Sequence, residues 1–454
     1  MENLKKKYGL FTAICMVVGI VIGSGIFFKA QEVLAVANGN ALDSVLAWLI
    51  SGFIMVIIAT TFGVMATKYE KVNGAVDYAE AMCGEKYSYY VGWFMSLIYY
   101  PAMTAVLAWV SAKYTLVAMY GNEEKSLSVE CITIALLYLV LSFFINTIAP
   151  RIAGKFQVSS TIVKLVPIVF IAVVGTVIGL VNGTLGANFE ISEASSNSGG
   201  GLFAAICTTI FAYEGWIVAT SINSEMKDSK KNLPIALCVG TLIIVAAYTL
   251  YNLGILGLAG SKEIESGGTI VAFNALFNGA ISPIINVLVV ISCLGTLNGL
   301  MLGGVRGIYS LSARGQGFAP ETFSQVDKMT GIPHNSAIFS LMMCGFWFFY
   351  FIAFSIGAFD FGVASKYSFD SSELPIITLY ALYIPIIISL MMKEKTLSIF
   401  RRFLLPILSL VGIGVIIIAC IAKHGMGIVW YLIVFALFML AGWVAQKINE
   451  RNKK

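Results

Sequence analysis

Charge is scarce in this chain: 12% of its 454 residues are charged, against 58% that are hydrophobic. Soluble domains carry about a quarter charged residues. A chain this apolar cannot clothe itself in polar surface, so its solvent is expected to be largely lipid. Histidine is scarcer still. Only His334 and His424 are present; both fall in predicted loops, and a histidine-based metal site is not expected. The eight cysteines, Cys15, Cys83, Cys131, Cys207, Cys238, Cys293, Cys344 and Cys420, form no short-spaced pairs. That argues against a zinc or redox motif and for small apolar packing residues. No His/Cys/Asp cluster of catalytic spacing lies in the apolar runs, so neither enzymatic chemistry nor a cofactor is expected.

Apolar runs are what the chain has in quantity. A spanning helix needs about 20 mostly apolar residues. Twelve such runs occur, at about 10–36, 43–67, 87–117, 130–148, 157–181, 201–222, 235–259, 281–312, 337–357, 374–392, 401–421 and 427–446. The connections are short, so residues 1–454 are expected to form a single all-α transmembrane domain. The low-complexity stretch is confined to Ser192–Gly201. The basic start Met1–Lys7 resembles a signal peptide, but the apolar run after it is long and lacks a small-x-small cleavage site, which predicts a retained helix.

Lysine and arginine set the orientation. With the N-terminus inside, 22 of them fall on the inner side and five, Lys29, Lys125, Lys262, Lys366 and Lys423, on the outer side, leaving Lys113 and Lys164 within helices. This bias predicts a multi-pass protein of the cell membrane with both termini cytoplasmic, and it favours an even number of spans. The net charge of +5 is thereby explained by topology rather than by nucleic-acid binding.

Two spans carry breaks. The first reads Gly19-Ile20-Val21-Ile22-Gly23-Ser24-Gly25-Ile26-Phe27. Glycine weakens a helix by about 1 kcal/mol relative to alanine, so two glycines around a serine predict either unwinding or a small-residue packing notch. Unwound backbone in lipid must line a cavity or be buried in protein. Its free N–H groups would suit a carboxylate. The sixth span carries Glu214 beside Gly215, in Phe211-Ala212-Tyr213-Glu214-Gly215-Trp216. An intramembrane acid is expensive and is a functional candidate by default. Phe211 sits where it could close over a solute, and Tyr99, Tyr100, Tyr248 and Tyr251 are further candidates for the cavity wall. Interrupted spans one and six would match in two inverted five-helix halves, about 10–181 and 201–392, with two additional C-terminal helices at about 401–446. Lys164 in the fifth span either snorkels to the inner surface or is buried and holds carbonyls freed at a break. In the eighth span Gly295, Gly299, Gly303 and Gly307 form one smooth face for helix packing.

These motifs, in this order and across nearly the whole chain, resemble the amino acid–polyamine–organocation transporters, and within them the L-type amino-acid transporter branch and its bacterial relatives. The residues that carry the resemblance are Gly19-x-x-x-Gly23-Ser24-Gly25-Ile26-Phe27, Phe211 to Trp216 with Glu225-Met226 and Asn232-Leu233-Pro234, Lys164-Leu165, and Asn298-Gly299 through Arg306 to Ala313-Arg314-Gly315 with Pro320. The resemblance implies a leucine-transporter-type five-plus-five inverted repeat, with the substrate carboxylate at the N–H groups of Ser24 and Gly25. The amine would meet carbonyls around Ile22, Phe211, Ala212 and Glu214, and Phe211 would serve as an aromatic gate. Lys164 would stand where related carriers hold sodium. The activity implied is sodium-independent amino-acid transport by alternating access, as an exchanger or a proton-coupled carrier. The alternatives are a polyamine or amine carrier, or a transport-like sensor. An acid at Glu214 departs from the branch that carries large neutral amino acids; it would select cationic substrates or take up a proton. Animal members link to a heavy chain through a cysteine in the outer loop between spans three and four. The loop Tyr120–Glu130 has none, so no disulfide-linked partner is expected.

Overall fold

The structure is a computed structural model that describes residues 9–69, 74–195, 200–218, 220, 226–327, 331–359 and 362–452. The basic start Met1–Lys7, together with Lys71, Glu225, Lys328, Lys453 and Lys454, lies outside the described residues. So do part of the Ser192–Gly201 stretch and the end of the 201–222 run.

Every regular element described is helical, because apolar backbone in lipid must satisfy its own hydrogen bonds. The first run forms α1, Leu10–Val21, and α2, Gly25–Val36. They bend by 49° and together are long and apolar enough for one span. The second run is α3, Ala41–Lys68, capped by the Asn40 side chain accepting from the Asp43 N–H. A short helix α4, Ala75–Cys83, precedes the long third span α5, Glu85–Tyr120. Then come α6, Val129–Ile148, α7, Pro150–Phe170, whose span continues to Asn182, and α8, Gly200–Tyr213. The remainder are α9, Ser229–Leu258, α10, Ser282–Ala313, α11, His334–Tyr350, α12, Leu374–Lys393, α13, Leu405–His424, and α14, Gly427–Asn452. Among the described residues eleven helices are long and apolar enough to cross a membrane, or twelve with the bent pair counted as one span.

The broken span sits in the middle of the bundle. α1 packs on α9, α2 on α8, and α10 on both α5 and α7. α13 packs against α3, α8 and α12. The rim faces outward with apolar side chains, as on α7 and its continuation, where Val166, Val169, Val173, Val177 and Leu180 are exposed. Lipid, rather than water, fits that surface.

Three features differ from the sequence reading. The third and fifth spans each contain a π-helical turn, Met95–Tyr99 and Ile171–Gly175, where hydrophobic periodicity predicts plain α-helix. The connections also hold helices of their own: Thr184–Ser195, Ser261–Gly267 and Ile270–Ala275. His334 opens α11 and His424 closes α13, so neither is a loop residue.

Spans five and seven meet almost backbone to backbone. A Cβ on Gly254 would collide with the Ile171 carbonyl oxygen, and one on Gly257 with that of Gly175. Neither carbonyl belongs to a side chain that could swing away. Gly254→Val is therefore expected to cost at least the 1–3 kcal/mol typical of overpacking, roughly, read as a lower melting temperature of the purified protein in detergent. An unchanged melting temperature would mean that these helices have slack.

Candidate functional site

A helix that stops in mid-membrane strands carbonyls at one end and N–H groups at the other. At the end of α1, two side chains meet the stranded carbonyls. Lys164, fully buried, donates from Nζ to the Gly19 carbonyl oxygen at 3.3 Å and to Thr296 Oγ1 at 3.2 Å. Tyr248 donates from one hydroxyl to the carbonyls of Val21 and Ala212, both at 3.1 Å. Tyr248 thus ties together the ends of α1 and α8, although it is buried and outside the cavity wall, as is Tyr251. The packing reading of the glycines holds at the same place. A Cβ on Gly25 would lie 2.5 Å from Ala212 Cα, and one on Gly23 would collide with Thr296 Oγ1. These glycines let the broken ends approach each other.

Between the ends lies a cavity of about 230 Å³. Its wall includes Gly23, Ser24 and Gly25 from the first break, Phe211, Ala212, Glu214 and Gly215 from the second, and Tyr99 and Tyr100 from α5. Gly215 has φ +111°, a left-handed backbone that glycine adopts without strain. Ile22 and Ile26 are fully buried and do not line the cavity. The first-turn N–H groups of α2 and the last carbonyls of α8 therefore bound one space with opposite backbone polarity.

Glu214 has a polar cage that was not evident from sequence. Tyr99 donates to its Oε1 at 3.0 Å, whereas Oε2 is buried without a hydrogen-bond partner. Among the described residues it makes no ion pair. Tyr99 belongs to the π turn of α5, a device often found at functional sites. The Trp347 indole donates to the Leu97 carbonyl at 2.8 Å inside that turn. Tyr380 and Tyr383, one helical turn apart on α12, flank the same carboxyl. A carboxyl oxygen without a partner in such surroundings is costly.

The two ends of the cavity differ. On one side stands Phe211, with Phe28 edge-on to it at 5.9 Å between centroids and the Lys29 ammonium 5.4 Å from its ring centre. Beyond it, Lys29 donates to Glu32 and Glu373, each at 2.7 Å. Lys423 donates to Glu32 at 2.9 Å, to Glu373 at 2.8 Å and to Thr208 Oγ1 at 2.7 Å. This buried network joins α2, α8, α12 and α13. Sequence reasoning placed Lys29 and Lys423 among outer-side charges and passed over the acids, yet Lys29 and Glu32 both lie inside the first apolar run. On the other side a second cavity, of about 270 Å³, shares Tyr100, Val218, Gly299, Leu302 and Gly303 with the first and reaches the exposed Arg306. The glycines of α10 thus line the cavities as well as serving packing, where Gly303 meets the Tyr100 ring and Gly307 meets Ser96. Farther along this side, Arg314 pairs with Asp77 and Glu80 of α4.

The dispersed cysteines do not stay dispersed. Ligand atoms of Cys207, Cys420 and His424 lie within 4.8 Å of one another, a proximity that their spacing in the sequence does not show. Cysteine pairs alone were the wrong signal; Cys420-x-x-x-His424 puts both side chains on one helix face. Cys131 is buried at the start of α6.

A sequence profile described as "Amino acid permease" matches residues 8–447. The chain is 32% identical over 345 residues to the serine/threonine exchanger SteT of Bacillus subtilis (strain 168), covering 75% of this chain and 76% of that protein. It is 27% identical over 335 residues to the human b(0,+)-type amino acid transporter 1, covering 73% of this chain and 68% of that protein. In fold it is similar to the crystal structure of MhsT in complex with L-phenylalanine, with a TM-score of 0.60 at 13% identity, covering 93% of this chain and all of that one.

Removing the Lys164 ammonium leaves the Gly19 carbonyl and the Thr296 hydroxyl short of a donor, a cost of about 1–3 kcal/mol for a buried group. Lys164→Ala is expected to slow solute uptake into proteoliposomes about tenfold or more while the protein still purifies as a folded species. Full activity would remove Lys164 from the account of the break.

Proposed function

The chain belongs to the amino acid permease family, and on that premise we propose that it exchanges amino acids across the cell membrane by alternating access, without sodium. The observation that carries this reading is the cavity bounded by both helix breaks. The substrate carboxylate rests on the N–H groups of Ser24 and Gly25 at the start of α2. The amino group turns to the opposite pole, where the α8 carbonyls end and Glu214 lines the cavity. Ile22 and Ile26 stand outside the cavity wall and are not assigned to the substrate. Two halves, about 10–181 and 201–392, rock around this fixed site, with the last two spans outside the repeat.

Sodium independence is supported by Lys164. A carbonyl and a threonine hydroxyl are ligands a sodium ion would accept, and here an ammonium occupies them. The excess of basic residues at the α1 end orients that end, and both termini, toward the cytoplasm. The access state follows: Phe211 and the Lys29–Glu373–Lys423 network seal the outer side, while the cavity past Arg306 leads inward. Exchange is favoured over one-way uptake by the likeness to SteT, named as an exchanger. The absence of cysteine between Tyr120 and Glu130 supports a transporter that works without a disulfide-linked heavy chain.

Glu214 adds a second element. Its unpartnered oxygen suits a cationic side chain, which would extend the substrates from neutral to basic amino acids, or a proton taken up during the cycle. In proteoliposomes loaded with unlabelled amino acid, labelled serine or threonine uptake is expected to accelerate, and to persist when choline replaces sodium. Uptake that needs sodium, or that ignores the internal amino acid, would contradict the proposal. Glu214→Gln is expected to weaken competition by lysine and arginine about tenfold more than competition by neutral amino acids. Unchanged selectivity with a flattened pH profile would assign the proton role instead. Competition by decarboxylated amines equal to that by amino acids would favour an amine carrier, and binding without exchange a sensor.

A further inference from the structure

We propose that Cys207, Cys420 and His424 form a binding site for a zinc-class cation that fastens the outer part of α8 to α13. The three ligand atoms lie within 4.8 Å of one another. Tetrahedral zinc, with bonds of 2.0–2.3 Å, sets its ligands about 3.3–3.8 Å apart, so closure asks for shifts of about an ångström. Both thiols are buried. Cys420 and His424 stand one helical turn apart on α13, a spacing that presents two ligands from one face. Cys207 comes from α8, four residues before Phe211 and on the same face of that helix.

The surroundings suit this ion. Glu373 Oε2 lies 2.9 Å from His424 Nε2 and 3.5 Å from Cys207 Sγ, placed to hold the imidazole in orientation, as carboxylates beside metal-bound histidines do. Lys29 and Lys423 keep their own partner in that carboxylate. They do not repel the metal site as a whole, because two thiolates cancel the charge of a dication. On binding, each thiol loses one proton to solvent and forms one sulfur–metal bond, with no change of oxidation state. Thiolate and imidazole select zinc or cadmium over magnesium or calcium.

The consequence concerns gating. α8 carries the aromatic lid, whereas α13 lies outside the proposed inverted repeat. A metal bridging them holds Phe211 over the cavity and keeps the outer side shut. This effect on flux rests on the proposed transport function; metal binding itself does not.

Two readouts separate these parts. Full-length protein titrated with zinc against a chromogenic chelator is expected to bind one ion. Cys207→Ser and His424→Gln are expected to weaken that binding about 10–100-fold. External zinc, but not magnesium, is expected to slow exchange by the wild type, and Cys207→Ser is expected to need about 10–100-fold more zinc for the same effect. Should the variants fail to fold, cadmium added to the wild type is expected to give thiolate-to-metal charge-transfer absorption. Its absence overturns the site, as does wild-type affinity for zinc in the Cys207→Ser/Cys420→Ser double variant. Zinc binding with unslowed exchange overturns the gating role. Zinc binding by a protein that exchanges nothing supports the site and counts against the transport reading.

Discussion

The architecture depends on how the backbone freed at Gly23-Ser24-Gly25 is satisfied. In lipid an unpaired carbonyl or N–H costs several kcal/mol, so a spanning helix can be broken only where partners are supplied. Here Lys164 takes the carbonyl of Gly19, and Tyr248 takes those of Val21 and Ala212. Each donor comes from a span that must sit close to the break, so the fifth and seventh spans are drawn against the first. The nearly bare contact between Gly175, Gly254 and Gly257 brings those two spans together. The N–H groups at the start of α2 are the polarity left over, and it is on them that the proposed function rests the substrate carboxylate.

The cavity is asymmetric for a related reason. Ions with little solvent need close partners, and the Phe211 side of the cavity concentrates them: Lys29, Glu32, Glu373 and Lys423 lie within 2.9 Å of their partners, contributed by three helices. Such a cluster is satisfied when the helices are together and unsatisfied when they part, which gives their packing a defined geometry. Phe211 sits between this cluster and the solute space. On the opposite side Tyr100 lines both cavities, and the Arg314–Asp77–Glu80 group lies farther along α10 and α4. On the proposed reading, one side of the cavity is closed and the other open.

Most of the frame was legible in the sequence because it follows from length and polarity alone. Among the described residues the apolar runs correspond to eleven helices able to cross a membrane and one bent pair, and the glycine pair marked the bend. Lys164 and Glu214 stood out as ionisable residues inside apolar runs, and the structure puts both beside helix breaks. What was not legible depends on residues far apart in the chain. Glu373 and Lys423 flank separate runs and look like loop charges until α12 and α13 are packed on α2. Cys207 is more than two hundred positions from Cys420. The π turns escaped because one extra residue per turn barely disturbs hydrophobic periodicity, yet one of them delivers Tyr99 to Glu214. Tyr380 and Tyr383 looked like ordinary membrane aromatics. The glycine face of α10 was half read: it serves packing, and it also floors the cavities.

The central claim is that the two broken spans read opposite ends of one amino acid. A structure determined with bound serine or threonine tests it most directly. The account predicts carboxylate oxygens at about 2.7–3.2 Å from the N–H groups of Ser24 and Gly25, with the amino group toward the α8 end and Glu214. A carboxylate bound instead at Arg306, or an amino acid lying in the reverse orientation, would contradict it.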